Sequence, residues 1–65
     1  MDKKELEHLI DRYDFMKVGI DEYLREYWTL AIWYNEFELY CEPEINTSYY
    51  RGPIDELEVL LESLF

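Results

Sequence analysis

The strongest constraint on the fold is a change in the spacing of apolar residues at Trp28. From there onward the large apolar side chains fall on every second residue, on both sides of a central Asn35-Glu36. Successive side chains of a β-strand point to opposite faces, so this spacing is typical of strands with one apolar face. Asn35 tolerates the left-handed backbone of a tight turn. The segment therefore predicts an antiparallel hairpin of Trp28 to Tyr34 and Phe37 to Glu42.

A two-residue loop at Asn35-Glu36 sets the register that we expect for this hairpin. Tyr34 then faces Phe37, and the pairing continues along both strands. One face is expected to hold Trp28, Leu30, Ile32, Tyr34, Phe37, Leu39 and Cys41. The opposite face is expected to hold Thr29, Ala31, Trp33, Glu38, Tyr40 and Glu42. Since Glu36 is a poorer turn residue than glycine, a longer loop is the alternative.

The apolar residues before the hairpin have helical spacing. They alternate steps of three and four residues, which places them on one face of a helix. They are Leu6, Leu9, Tyr13, Met16, Ile20, Tyr23 and Tyr27. The stretch from Tyr13 to Gly19 contains a glycine, a β-branched residue and two apolar residues off that face. We therefore predict a helix from Lys3 to Tyr13, a turn, and a shorter helix from Asp21 to Tyr27, with one unbroken helix as the alternative.

Two prolines divide the rest of the chain. Pro43 cannot donate to a β-ladder, so the second strand is expected to end there, followed by a loop from Glu44 to Ser48 and a short third strand at Thr47 to Tyr50. Pro53 suits the first turn of a C-terminal helix. The inward residues of that helix are expected to be Ile54, Leu57, Leu61 and Leu64.

These segments predict one acidic α+β domain over residues 1–65. It has one N-terminal helix or two, an antiparallel hairpin or three-stranded meander, and a C-terminal helix. A chain of 65 residues leaves no room for a second domain. A sheet this small needs the helices against its apolar face to be stable.

The charge of the chain restricts its partners. Sixteen acidic residues against six basic ones give a net charge of −10, which argues against direct binding of nucleic acid or of an anionic membrane. The excess is uneven, because residues 35–65 hold eight acids and only Arg51 as a base. The lone Cys41 and the lack of a signal-peptide pattern favour a reducing cytoplasm.

No pattern in the chain predicts catalysis, a cofactor or a metal site. His8 lies off the apolar helical face and has no second histidine, so we expect an exposed residue without a role. Cys41 has acidic and aromatic neighbours that do not activate a thiol, so we expect it to be buried and inert. The acidic pairs at Asp21-Glu22 and around Pro43 lack the spacing of a calcium loop and are interpreted as solvated charge. We therefore do not expect an enzyme.

Aromatic and acidic residues on the second face of the hairpin are the candidate site. Trp and Tyr dominate the energetic hot spots of protein interfaces. The residues concerned are Trp33, Tyr40, Tyr49 and Tyr50, among Glu36, Glu38, Glu42 and Glu44. Alternate residues of a strand lie about 6.8 Å apart, so the glutamates form a spaced row, to which a second row of Asp55, Glu58 and Glu62 on the C-terminal helix can be added.

Two paired acidic rows would imitate the phosphates of DNA. In size and acidity the chain resembles the DNA-mimicking inhibitors that phages and mobile elements direct against restriction, CRISPR or replication proteins. That resemblance implies a basic nucleic-acid-binding protein as the partner. The alternative is an acidic adaptor, antitoxin-like or immunity-like module that docks through exposed aromatics. A third interpretation is that the aromatic face is covered by the chain termini, or by a second copy of the chain in a homodimer.

Overall fold

The structure is a computed structural model that describes residues 1–41 and 48–65. In these residues, two helices pack on one face of an antiparallel sheet. The elements are helix α1 (Lys3–Arg12), strands β1 (Met16–Lys17), β2 (Glu22–Arg25), β3 (Trp28–Trp33), β4 (Glu36–Cys41) and β5 (Ser48–Pro53), a 3-10 turn (Ile54–Glu56) and helix α2 (Leu57–Leu64). The strands lie in the order β1-β2-β3-β4-β5. The predicted α+β class is confirmed, and the sheet has two strands more than the predicted meander.

A side-chain cap defines the first end of α1, and a residue in the left-handed region defines the other. The Asp2 carboxylate accepts a hydrogen bond from the Glu5 backbone N–H at 2.8 Å and so caps the first turn. Asp14 adopts a φ of 62°, in the left-handed region, and this ends the helix after Tyr13. Leu9 and Ile10 are buried on its inward face. The predicted first helix is therefore confirmed.

The second predicted helix, Asp21 to Tyr27, is wrong, because this segment forms strand β2. Its four residues pair antiparallel with β3, and Glu26-Tyr27 makes a two-residue loop in which Glu26 has a φ of 53°. Ile20 belongs to the helical spacing but is 87% exposed. A helix of two turns has little stability of its own, whereas β2 gains a full ladder with a neighbouring strand.

The hairpin between β3 and β4 forms, with a register different from the predicted one. Its two-residue loop is Tyr34-Asn35, so Trp33 pairs with Glu36 and Ile32 pairs with Phe37. Tyr34 has a φ of 58° and is 96% exposed, so its predicted place on the inward face is wrong. The observed register lets β4 begin at Glu36, which gives all six of its residues partners on β3 and on β5.

Apart from Tyr34, the described residues of the hairpin lie on their predicted faces, because the change of register moves the pairing by two residues. The inward side chains of β3 and β4 pack against both helices in one core. Its buried members are Leu9, Ile10, Phe15, Leu30, Ile32, Phe37, Leu39, Ile54, Leu57 and Leu61. The predicted inward residues of the C-terminal helix are thus confirmed, with Leu64 partly buried at the rim.

Two further expectations concern the end of β4. Cys41 lies on the inward face opposite Trp28 but is only half-buried, so its predicted full burial is wrong. Cys41 is the last described residue of β4. The predicted end of the strand at Pro43 and most of the predicted loop that follows lie outside the described residues.

Candidate functional site

The face of the sheet that points away from both helices is here called the outer face. Strand register places its side chains in three rows that run across the strands. The first row is Met16, Leu24, Thr29, Tyr40 and Tyr49, one residue from each strand. The second row is Glu22, Ala31, Glu38 and Arg51, and the third is Trp33, Glu36 and Pro53.

The first row is an apolar and aromatic stripe across the whole sheet. Met16 is 70% exposed and Tyr49 is 55% exposed, and Leu24 is also exposed. Five strands spaced about 4.8 Å apart make a stripe about 19 Å long. Both described helices pack on the other face of the sheet and do not cover this stripe, in which Thr29 and Tyr40 are half-buried. Contiguous exposed apolar surface of this kind is typical of sites that bind protein.

Charged side chains form an ordered cluster beside the stripe. Arg51 lies opposite Glu38 in the strand register, and its Nη2 is 3.7 Å from Oε2 of Glu36. Its guanidinium carbon is 6.0 Å from the centroid of the Trp33 ring. Because these groups are exposed, the ion pair adds little to the stability of the fold. Its effect is to neutralise part of the negative charge of the outer face.

The Tyr49 phenol joins this cluster to the stripe. Its hydroxyl donates a hydrogen bond to the carboxylate of Glu38. This bond, with a smaller contribution from the negative charge of Glu38, raises the pKa of Tyr49 above its ordinary value of 10.0. The tyrosine ring is therefore held in one orientation on the surface, which lowers the entropy cost of binding through it.

Five of the predicted site residues lie together on the outer face. They are Trp33, Glu36, Glu38, Tyr40 and Tyr49. Tyr50 lies on the inward face instead, where it pairs with Leu39 and its ring stacks on Trp28 at a centroid distance of 6.3 Å. The predicted site residues Glu42 and Glu44 lie outside the described residues.

The acidic residues of the C-terminal helix do not join the outer face. Asp55 precedes α2 and Glu58 and Glu62 belong to it, and α2 packs on the inward face of the sheet. Asp55 accepts a hydrogen bond from the N-terminal ammonium of Met1 at 3.0 Å, which raises the pKa of that ammonium. Glu58 Oε2 is 3.5 Å from Arg12 Nη1. The two predicted acidic rows therefore lie on opposite sides of the sheet.

Sequence reasoning missed Met16 and Leu24 as members of the site. Leu24 falls in the predicted second helix, off its apolar face, and Met16 falls in the predicted turn before that helix. No period-two signal marks this segment, because Tyr23 and Leu24 are adjacent apolar residues followed by Arg25. Once that segment is a strand paired with β3, Leu24 must share a face with Thr29.

The described residues also bear on catalysis and membranes. His8 is exposed on α1, and no group of three His, Cys, Asp or Glu side chains within residues 1–41 and 48–65 has the arrangement of a metal site. In the same ranges neither helix has the length and apolar composition that crossing a bilayer requires.

Comparisons with protein-family models, curated proteins and solved structures gave no match.

Proposed function

We propose that this chain is a small non-catalytic module of the cytoplasm that binds another protein through the outer face. The observation that carries this proposal is the stripe of Met16, Leu24, Thr29, Tyr40 and Tyr49, which crosses all five strands on the side away from both helices. A stable sheet presents these side chains at fixed spacing, so binding does not have to order them.

Tyr40 and Trp33 are the expected anchors of the interface. Each is half-buried in the free protein, so its backbone and ring are already held by neighbours on the sheet. Large rings of this kind bury much area and lose little side-chain entropy, which is why Tyr and Trp are enriched in hot spots. The carboxylates of Glu36 and Glu38 then form a polar rim at one side of the stripe.

The net charge of −10 favours a partner whose binding surface has a basic rim. Opposite charge speeds the encounter of two proteins more than it tightens the final complex. The proposed partner therefore combines an apolar centre, which fits the stripe, with Lys or Arg side chains around it.

DNA mimicry is the second candidate function. It is favoured by Glu36 and Glu38, which are neighbours along one strand on the outer face, and by the excess of acids after residue 35. It is weakened by Arg51, which lies opposite Glu38 and forms an ion pair with Glu36, and by the position of α2 on the far side of the sheet. A single sparse row of carboxylates carries far less charge than the duplex that it would replace.

The test uses a partner captured from a bacterial lysate and then purified. Its affinity is measured for the wild type, Tyr40→Ala, Glu38→Lys and the control Val59→Ala, which changes an exposed apolar residue of α2. Docking through the outer face predicts a loss of about 2 kcal/mol or more for Tyr40→Ala, mainly through faster dissociation, and no change for Val59→Ala. Equal losses for these two variants would contradict the proposal.

A competition titration separates the two candidate functions. Labelled duplex DNA is bound to the partner, and this protein is added to saturation. DNA mimicry predicts that the duplex is displaced and that Glu38→Lys slows association at low salt. If the duplex stays bound while the protein binds, mimicry is wrong and docking at a separate surface is retained.

A further inference from the structure

Strand β5 is an edge strand with unusual side chains for its position. In the described residues it pairs with β4 alone. Edges of this length are normally protected by charged residues, proline, bulges or covering elements, and the proline of β5 is confined to its last position, Pro53. Within Ser48–Pro53 the only charged residue is Arg51, although the chain carries sixteen acids. The opposite edge, β1, has only two residues, and its shortness protects it.

Hydrogen bonding fixes which backbone groups of β5 face outward. The Ile54 N–H donates to the Asn35 carbonyl at 2.7 Å, one step beyond the Glu36–Pro53 pair. Hydrogen-bonded and non-hydrogen-bonded pairs alternate along an antiparallel ladder. The N–H and C=O groups of Tyr49 and Arg51 therefore point away from β4. By the same alternation Pro53 is an outward residue, so its missing N–H removes no hydrogen bond to β4.

We propose that two copies of this chain pair through their β5 edges, antiparallel, around a two-fold axis at Tyr50. In that register Tyr49 of each copy lies opposite Arg51 of the other, and the two residues exchange both backbone hydrogen bonds. Four outward donors and four outward acceptors are thereby satisfied in the dimer. The two sheets become one continuous sheet of ten strands, and the contact is isologous.

Side chains on the outer face are complementary in this register. Arg51 of one copy stands beside the Tyr49 ring of the other, as a cation beside an aromatic ring. On its other side Arg51 keeps its own Glu38. The small residues Ser48 and Gly52 lie opposite each other, so the ends of the paired segment do not collide. The strand is thus self-complementary in charge and in size.

The inward side of the edge also has room for the second copy. Phe37, Tyr50, Glu56 and Leu60 line a groove between β5 and α2, with a volume of about 330 Å³. Tyr50 of the second copy would enter at the mouth of this groove, beside the first copy's Tyr50 at the axis. The exposed part of each Tyr50 ring is then covered by its counterpart, which adds apolar burial to the backbone bonds.

Salt should strengthen this dimer, because each copy has a net charge of −10. A complex with a basic partner responds to salt in the opposite way. This inference is independent of the proposed function, and it would extend the outer face across two copies.

Sedimentation equilibrium and amide hydrogen exchange test the dimer. The untagged protein is measured from about 10 μM to about 1 mM, at about 0.05 M and about 0.5 M salt. The expected mass rises from one copy to two with concentration, at lower concentration in the higher salt. Protection of the Tyr49 and Arg51 amides should rise at least about tenfold with dimer formation. The Tyr50 amide, already bonded to β4, serves as the internal control and is protected throughout.

Arg51→Pro is the matched variant, because it removes an outward N–H and leaves the ladder to β4 intact. Circular dichroism checks that the fold is kept, and the dimer dissociation constant should rise at least about tenfold. A wild type that stays monomeric throughout would overturn the proposal. The proposal would also be overturned by a wild-type dimer in which the Tyr49 and Arg51 amides exchange as fast as in the monomer. This second result does not depend on whether Arg51→Pro folds.

Discussion

Replacing Tyr34 with glycine should stabilise the protein. Tyr34 is the first residue of the loop between β3 and β4, with a φ of 58° and a side chain that is 96% exposed. Glycine is the preferred residue at a loop position with a positive φ, because it has no Cβ atom. The tyrosine ring contributes little burial that could offset the cost of this backbone conformation.

The size of the effect follows from two opposing contributions. A residue with a Cβ atom pays about 1–2 kcal/mol in the left-handed region, and glycine avoids this cost. Glycine loses about 0.5–1 kcal/mol more conformational entropy on folding. The expected net gain in the free energy of unfolding is about 0.5–1 kcal/mol, or about 4–7 °C in Tm for a domain of this size.

Urea and thermal denaturation followed by circular dichroism measure this gain. Tyr34→Asn should give a similar gain, since asparagine also tolerates a positive φ, and Tyr34→Val should destabilise the protein. The register in which Tyr34 faces Phe37 predicts the opposite sign, because loss of an inward aromatic ring costs about 3–5 kcal/mol. A destabilised Tyr34→Gly variant would therefore refute the observed loop.

Three further outcomes are expected. Leu39→Ala should lower the free energy of unfolding by about 2–5 kcal/mol in urea denaturation, because Leu39 is fully buried between β3 and β5; a loss below about 1 kcal/mol would contradict its central place in the core. Absorbance titration should give a raised pKa for Tyr49, and this pKa should return toward its ordinary value in Glu38→Gln. Because the neutral phenol is the donor, its hydrogen bond to Glu38 stabilises the fold at pH values below 10.0. This stabilisation is lost as the pH rises through the raised pKa of Tyr49. Cys41→Ala should lower stability by about 1 kcal/mol and leave the affinity for the partner unchanged, and a folded variant that no longer binds would disprove this.

The sequence pattern was sufficient to predict the structure of segments whose apolar spacing fits only one kind of secondary structure. The alternation after Trp28 identified the faces of the described hairpin residues except Tyr34, and the spacing of Ile54, Leu57 and Leu61 identified the buried side of the last helix. Local capping by Asp2 agreed with the helical spacing that begins at Leu6. In these segments local preference and tertiary packing favour the same structure.

The segment from Met16 to Tyr27 could not be predicted in this way. Its apolar residues fit a helical face, and the decisive interaction is pairing with β3, which is tertiary and leaves no local signal. The loop conformations could not be predicted either, because Glu26 and Tyr34 adopt positive φ values that their residue types do not favour. The neighbouring ladders impose these conformations. Assigning these residues to a turn and a helix also removed Met16 and Leu24 from the predicted site.

Photo-crosslinking in cells tests the protein-binding role of the outer face most directly. A benzophenone amino acid is placed at Leu24 or Tyr40 on the outer face, and at Val59 or Glu62 on α2 as exposed controls. Each variant is irradiated in a bacterial host, and its adducts are identified by mass spectrometry. The outer-face positions should crosslink to one common partner protein that the α2 positions do not reach. Adducts with the partner from Val59 and Glu62, and none from Leu24 and Tyr40, would contradict the proposed function.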